Sequence, residues 1–149
     1  MEKNPRTKSR ELALQALFYM DMRQDTSQEA LDIYCENFAP QENIVSFFLE
    51  LVKGVIPVWS DIDAIIERVS SNWKVSRMSC VDRNIMRIAL YEMLFREDIP
   101  TKVSINEAIN MGKKFGTEES GAFINGILDS VSTMLEKNEI PRPGGKFSD

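Results

Sequence analysis

The sequence predicts an all-α protein, and three observations lead there. In every strongly patterned stretch the apolar residues recur in steps of three and four, the period of one helix face. Helix-start signals of the S/T-x-x-D/E kind stand at Thr26, Ser79 and Ser104, each just ahead of such a stretch. No segment alternates apolar and polar residues between turn dipeptides, as a half-buried strand would. With 149 residues and 43% hydrophobic content, the chain can build a real core as one domain or two tightly packed subdomains. The expected architecture is two packed helical bundles of about six to seven helices.

The first helix carries Leu12, Ala13, Ala16, Leu17 and Met20 on one face, while Leu14 and Phe18, four apart, project toward another flank. A capping box from Thr26 to Glu29 opens a short second helix through Leu31, Ile33 and Tyr34, which is expected to end near Ala39, before Pro40. From Val45 the apolar positions Phe48, Leu49, Val52, Val55, Ile56, Trp59, Ile62, Ile66 and Val69 run straight across Pro57. The unbroken stripe predicts one long kinked helix, with a short stop near Gly54 to Pro57 as the competing reading.

Ser79 to Asp82 opens a helix that is apolar nearly all round, from Ile85 through Phe95, and such a helix belongs in the middle of a bundle. Ser104 to Glu107 reads as the cap of the next helix, carrying Ile105, Ala108, Ile109, Met111 and Phe115 and closed by Gly116. In the last helix Phe123, Ile124, Ile127, Leu128, Val131, Met134 and Leu135 share one arc. The expected organisation is an amino-terminal group of three helices over residues 1–78, a carboxyl-terminal group over 79–140, and a tail over 141–149 of disordered composition.

Cys35 and Cys80 have no metal-type spacing, and the chain has no histidine, so neither a zinc site nor a histidine-based triad is expected; cofactor and metal are both read as none. The first ten residues lack a signal-peptide core, and no apolar run is expected to approach the roughly 20 residues of a membrane span. A cytoplasmic protein with reduced thiols and no membrane partner is the reading. The net charge of -5 argues against a general polyanion binder, yet residues 1–10 hold Lys3, Arg6, Lys8 and Arg10 against Glu2 alone. This basic end is either a phosphate-binding arm or a solvated terminus, and charge by itself weighs the two equally.

Within the arm, Arg6 and Arg10 share a face at i, i+4 and offer two guanidinium forks, with Lys3 and Lys8 adding diffuse attraction. Asp82, Arg83, Arg87 and Glu92 read as capping and ion-pair residues around a buried helix rather than as an acid–base set. The segment from Phe115 to Gly121 has two glycines but no Lys-Ser/Thr ending and no preceding strand, so it reads as a turn and not a phosphate loop. Glu119, Phe123 and Gly126 follow along one flank of the last helix. There Phe123 is a boundary core residue or a base-stacking aromatic, with core favoured, and Gly126 permits close approach by a helix or a ligand. A carboxylate such as Glu119 suits a base amino group better than a phosphate. Leu14 and Phe18 read as buried between the subdomains ahead of forming a docking patch.

Three strings, VDRNIMRIALYE from Val81, VSINEAINMGKKFG from Val103 and SGAFINGILD from Ser120, in this order and with short gaps, resemble the carboxyl-terminal signature of the NusB family of transcription antitermination factors. RTKSRELALQALF, from Arg6 to Phe18, is similar to that family's basic first helix. The resemblance implies a two-bundle NusB-like fold and no catalysis. It implies RNA binding by Lys3, Arg6, Lys8, Arg10, Glu119 and Phe123, and partner docking at Leu14, Phe18 and Asp82. The implied ligand is a boxA-type single-stranded leader RNA held together with NusE, a small-subunit ribosomal protein. The pair would act on the RNA polymerase elongation complex with other Nus factors in ribosomal RNA operons, and a homodimer masking the arm stays open. RTKSR is less basic than the family's usual arm, and Ala122 is uncharged where some relatives carry lysine. With about three phosphate contacts the expected salt slope on a single strand is near -2. A protein–protein scaffold without RNA, and a NusB-like domain related to ribosomal RNA methyltransferases, are the alternatives.

Overall fold

The computed structural model describes residues 4–38 and 41–140; Lys3, the end expected at Ala39 and the tail from Pro141 lie outside them. Among the described residues the secondary structure is helical throughout: α1 Pro5–Arg23, α2 Gln28–Asn37, α3 Glu42–Val55, a 3-10 turn Ile56–Val58, α4 Trp59–Val69, a second 3-10 turn Val75–Arg77, α5 Cys80–Phe95, α6 Thr101–Phe115 and α7 Ser120–Glu136. Helix α5 is the axle. It packs against α1, α3, α4, α6 and α7, and Ile85, Met86, Ile88 and Leu90 are all but sealed, as its all-round apolar character requires. The buried residues form one continuous cluster from Ala13 to Ile140.

Local chemistry sets the helix ends, and at two of the three expected caps it differs from the pattern. Ser79 does cap α5, its Oγ accepting from the Asp82 N–H at 3.0 Å. The cap of α2 is Ser27, not Thr26: its Oγ accepts from the Ala30 N–H at 3.1 Å. Helix α6 begins at Thr101 behind Pro100, a full turn before the expected Ser104. Ser104 is instead buried and donates its hydroxyl to Glu92 Oε1 at 2.7 Å. Its Glu107 partner in the supposed capping box faces α1. Gly116 does follow the last residue of α6, with extended rather than left-handed backbone.

Pro57 bends the long helix without ending it. The interruption is a single 3-10 turn between α3 and α4, which accommodates the missing N–H while the apolar stripe continues inward on both sides. Taken as one segment, residues 42–69 are long and apolar enough by length and composition to cross a membrane, although polar residues such as Glu50 and Lys53 break every pure apolar run. Phe48, Leu51, Val52, Val55, Ile62 and Ile66 on this segment show no exposure, so its stripe is core-facing.

Gly54 lets α3 and α5 approach. A Cβ there would overlap the Tyr91 ring, which is itself stacked on Phe95 at 5.3 Å. In an exposed helix Gly→Ala stabilises by about 1 kcal/mol; here overpacking at a rigid ring costs about 1–3 kcal/mol. Gly54→Ala is therefore expected to lower the urea midpoint, whereas a raised midpoint would mean that Tyr91 can swing away.

Candidate nucleic-acid interface

The arm enters α1 through Asn4, whose Oδ1 accepts from the Arg6 N–H at 2.8 Å, with Pro5 in the first turn where a missing N–H costs nothing. Arg6 is exposed and lies over the Phe47 ring, its guanidinium carbon 4.7 Å from the centroid. Lys8 is half-buried. Arg10 corrects the reading of two guanidinium forks offered to phosphates or base edges, because it is 3% exposed. Its Nε and Nη2 reach the two oxygens of Glu92 at 2.7 and 2.9 Å, and its Nη1 reaches Glu107 at 3.1 Å. Thr7 donates to the same Glu107 oxygen at 2.8 Å. Arg10 thus ties α1 to α5 and α6, and its donors are committed to carboxylates.

The other α1 flank also divides. Leu14 is buried at 3% exposure, so it serves the core and offers no surface, while Phe18 remains exposed with Met22 one turn on. The exposed apolar pair on this helix is therefore Phe18 and Met22. Just beyond it Asp21 gathers four partners from α5, one of them the Cys80 thiol at 3.5 Å. Arg83 Nε donates at 2.8 Å, Asn84 Nδ2 at 2.8 Å and Arg87 Nη1 at 2.9 Å, all to Oδ2. Arg87 also forks onto Asp63 of α4, at 2.8 Å on each arm, and stacks 3.8 Å over the Trp59 ring. The DRNIMR string is accordingly an ion-pair hub, in keeping with its structural reading.

At the opposite end of α6 the FGTEESG segment is a turn. Ser120 Oγ accepts from the Thr117 N–H at 2.9 Å, and Glu119 stands exposed at the start of α7. Phe123 is half-buried and meets Trp73 edge to face, with ring centroids 5.4 Å apart. The two rings, with Met78, Asp82, Thr117 and Glu119, line a cleft of about 300 Å³. The structure thus brings Asp82 to Glu119 and Phe123. Gly126 has nothing within contact of a notional Cβ, so among the described residues no neighbouring helix explains it.

The arm does not sit against α7. Thr7 and Arg10 are level with Glu107, and α6 then carries the chain on to Gly116 before α7 begins. Arg6 lines a pocket with Pro100 and Val103 at the start of α6, and by helical rise Val103 and Gly116 are separated by roughly 20 Å. Two cations occupy the interval. Lys114 Nζ lies 3.2 Å from Glu11 of α1, and the Lys113 stem passes 3.6 Å from where a Cβ on Gly121 would stand. The sequence reading passed over Lys113, Lys114, Trp73 and Arg77. The adjacent lysines in the last turn before Gly116 were a visible signal; Trp73, alone in the polar stretch SSNWK, had no periodicity to reveal it.

Among the described residues no group of three or more His, Cys, Asp or Glu side chains could hold a metal ion. Fold and site define an all-helical protein whose prominent feature is a surface cleft with aromatic walls and carboxylate acceptors, linked by cations to a basic first turn. The NusB family model matches residues 7–133, and the chain belongs to the NusB family. The transcription antitermination protein NusB of Desulfatibacillum aliphaticivorans is 58% identical over 134 residues, 90% of this chain and 94% of that protein. T. maritima NusB matches in structure with a TM-score of 0.77 at 36% identity, covering 93% of this chain and 100% of that one. A chain from the structure of antitermination factors NusB and NusE in complex with double-stranded RNA matches with a TM-score of 0.76 at 23% identity, over 87% of this chain and 96% of that chain, a likeness of fold.

Proposed function

We propose that this protein is a cytoplasmic antitermination adaptor that binds a boxA-type single-stranded leader RNA together with NusE. The complex then joins the RNA polymerase elongation complex with other Nus factors in ribosomal RNA operons. No bond is made or broken. The observation that carries the RNA reading is the Trp73–Phe123 pair beside the Glu119 carboxylate. Aromatic faces stack on any base, and a carboxylate accepts from base amino groups. Arg6, Lys114 and Lys113 supply positive charge along α6 between arm and cleft, and Lys3 and Lys8 add to it at the arm. A roughly 20 Å track suits several nucleotides of one strand better than a single point contact. Phe18 and Met22 offer NusE an exposed apolar patch on α1, and Asp82, on the wall of the cleft, is a further docking residue. A bound partner enlarges the surface, so that two weak sites act as one.

Gel-shift titration of boxA RNA, with and without NusE, tests this reading. Phe123→Ala should weaken binding by about tenfold, within the range for one stacked base. Lys113→Ala with Lys114→Ala should flatten the dependence of log affinity on log salt by about 1.4, two contacts at about 0.7 each. Affinity that is independent of salt, or unchanged in both variants, would defeat the proposal.

A further inference from the structure

Three arginines converge on one aromatic ring. Phe47 of α3, 8% exposed, has the guanidinium carbons of Arg6, Arg10 and Arg96 at 4.7, 5.3 and 5.5 Å from its centroid. The ring therefore stands where the first turn of α1 meets α3 and the end of α5. Ser9 fixes that meeting. It is fully buried, and its hydroxyl lies 2.9 Å from the carbonyl of Ile44, one turn before Phe47.

Two of these cations are already neutralised. Arg10 forks onto Glu92 and reaches Glu107, while Arg96 forks onto Asp98 at 2.8 Å on each arm and also donates to Glu50. Arg6 differs. It is exposed, its guanidinium rests on the ring, and among the described residues it makes no hydrogen bond to a carboxylate. With the four carboxylates Glu50, Glu92, Asp98 and Glu107 paired into a cluster of three cations, the cluster carries no excess of positive charge. Diffuse attraction is therefore weak at this spot, and what Arg6 offers a strand is a placed fork of donors.

We propose that Phe47 is a positioning residue for RNA, its ring seating the Arg6 guanidinium so that the fork is ordered before it meets a phosphate of the strand. The inference deepens the RNA reading above and rests on it. A guanidinium held on an aromatic face has less side-chain freedom to lose when the phosphate arrives. Phe47 acts through Arg6 and touches no RNA itself. Lysine in place of Arg6 would keep the charge but neither the fork nor the planar contact with the ring.

The test measures the affinity of the full chain for boxA RNA by fluorescence anisotropy across a salt series, with urea unfolding of each variant. Arg6→Ala should flatten the salt slope by about 0.7, one contact. Phe47→Leu keeps an apolar filler without the ring and should weaken binding about threefold, the size of one exposed cation–π contact. In the Arg6→Ala background the same change should cost nothing further. Phe47→Tyr retains the ring and should recover the parent's affinity, whereas Arg6→Lys should lose at least as much as Phe47→Leu. A purely structural Phe47 would lower the urea midpoint and weaken binding equally with and without Arg6; that result overturns the proposal, as does parent-like binding by Phe47→Leu. Where Phe47→Leu does not fold, Arg6→Lys decides, because parent-like affinity from lysine also overturns it. If the parent binds RNA and the two changes act independently, the assignment of Phe47 fails while the RNA reading stands. If the parent binds no RNA, both fail.

Discussion

Arg10→Met is expected to destabilise this protein by about 3–5 kcal/mol, the range for breaking a buried ion pair from one side. Glu92 is 1% exposed, and after the substitution it would keep only the Ser104 hydroxyl, leaving a nearly dry carboxylate without its cation. The double variant Arg10→Met with Glu92→Leu should recover most of the loss, because apolar groups of similar size replace a buried pair at little net cost. Urea unfolding of the four proteins forms the cycle. A single-variant loss under 1 kcal/mol would show that water or Glu107 movement relieves the charge. Salt discriminates further: a surface pair fades as ionic strength rises, whereas the coupling here should persist. Function adds a second readout. Since Arg10 is committed to Glu92 and Glu107, its removal should weaken RNA binding no more than the population of unfolded protein accounts for, whereas Arg6→Ala should weaken binding in a fully folded protein.

This pair also shows where sequence reasoning went astray and why. Spacing placed Arg10 with Arg6 at i, i+4, which is true of the helix face but silent on depth. The same spacing puts Arg10 three and four residues before Ala13 and Leu14, on the side that turned out to be core. Glu92 lies inside a helix greasy on every side, where a charge persists only if it is paired. Read together, those positions imply each other, but only tertiary packing says that residues 82 apart meet. Ser104 and Glu107 were misread for the same reason. Their pattern matches a capping box, yet both serve contacts with other helices, so the helix start fell to Pro100 instead. By contrast the helices themselves, the central place of α5 and the cap at Ser79 follow from local period and local hydrogen bonding, which the sequence carries, whereas the 3-10 interruption at Pro57 is one of two outcomes that the stripe allowed. Phe123 was legible as an edge residue; its partner Trp73 was not, because a loop has no period.

Acid should expose the second buried hub. Burial of Asp21 by itself would raise its carboxyl, but the hydrogen bonds from Arg83 and Asn84 and the charge of Arg87 outweigh that and hold it down to about 2, against an ordinary value of 3.8. A carboxyl depressed in the folded state contributes stability that is fully present above its unfolded value and is lost as pH falls toward the folded one. The window is therefore from about pH 5 down to pH 2, and the contribution is about 2 kcal/mol at neutral pH. In urea titrations at pH 7 and pH 3, Asp21→Asn should be less stable at pH 7 by at least that amount and should lose about 1 kcal/mol less than the parent on going to pH 3. The loss at pH 7 can exceed the proton-linked part. Arg83 would then rely on the Val75, Ser76 and Met78 carbonyls at 3.3–3.5 Å, while Arg87 would keep Asp63. Parallel pH dependences for the two proteins would place the acid sensitivity elsewhere, and would mean that the Arg83–Asp21 contact is looser in solution than its 2.8 Å geometry.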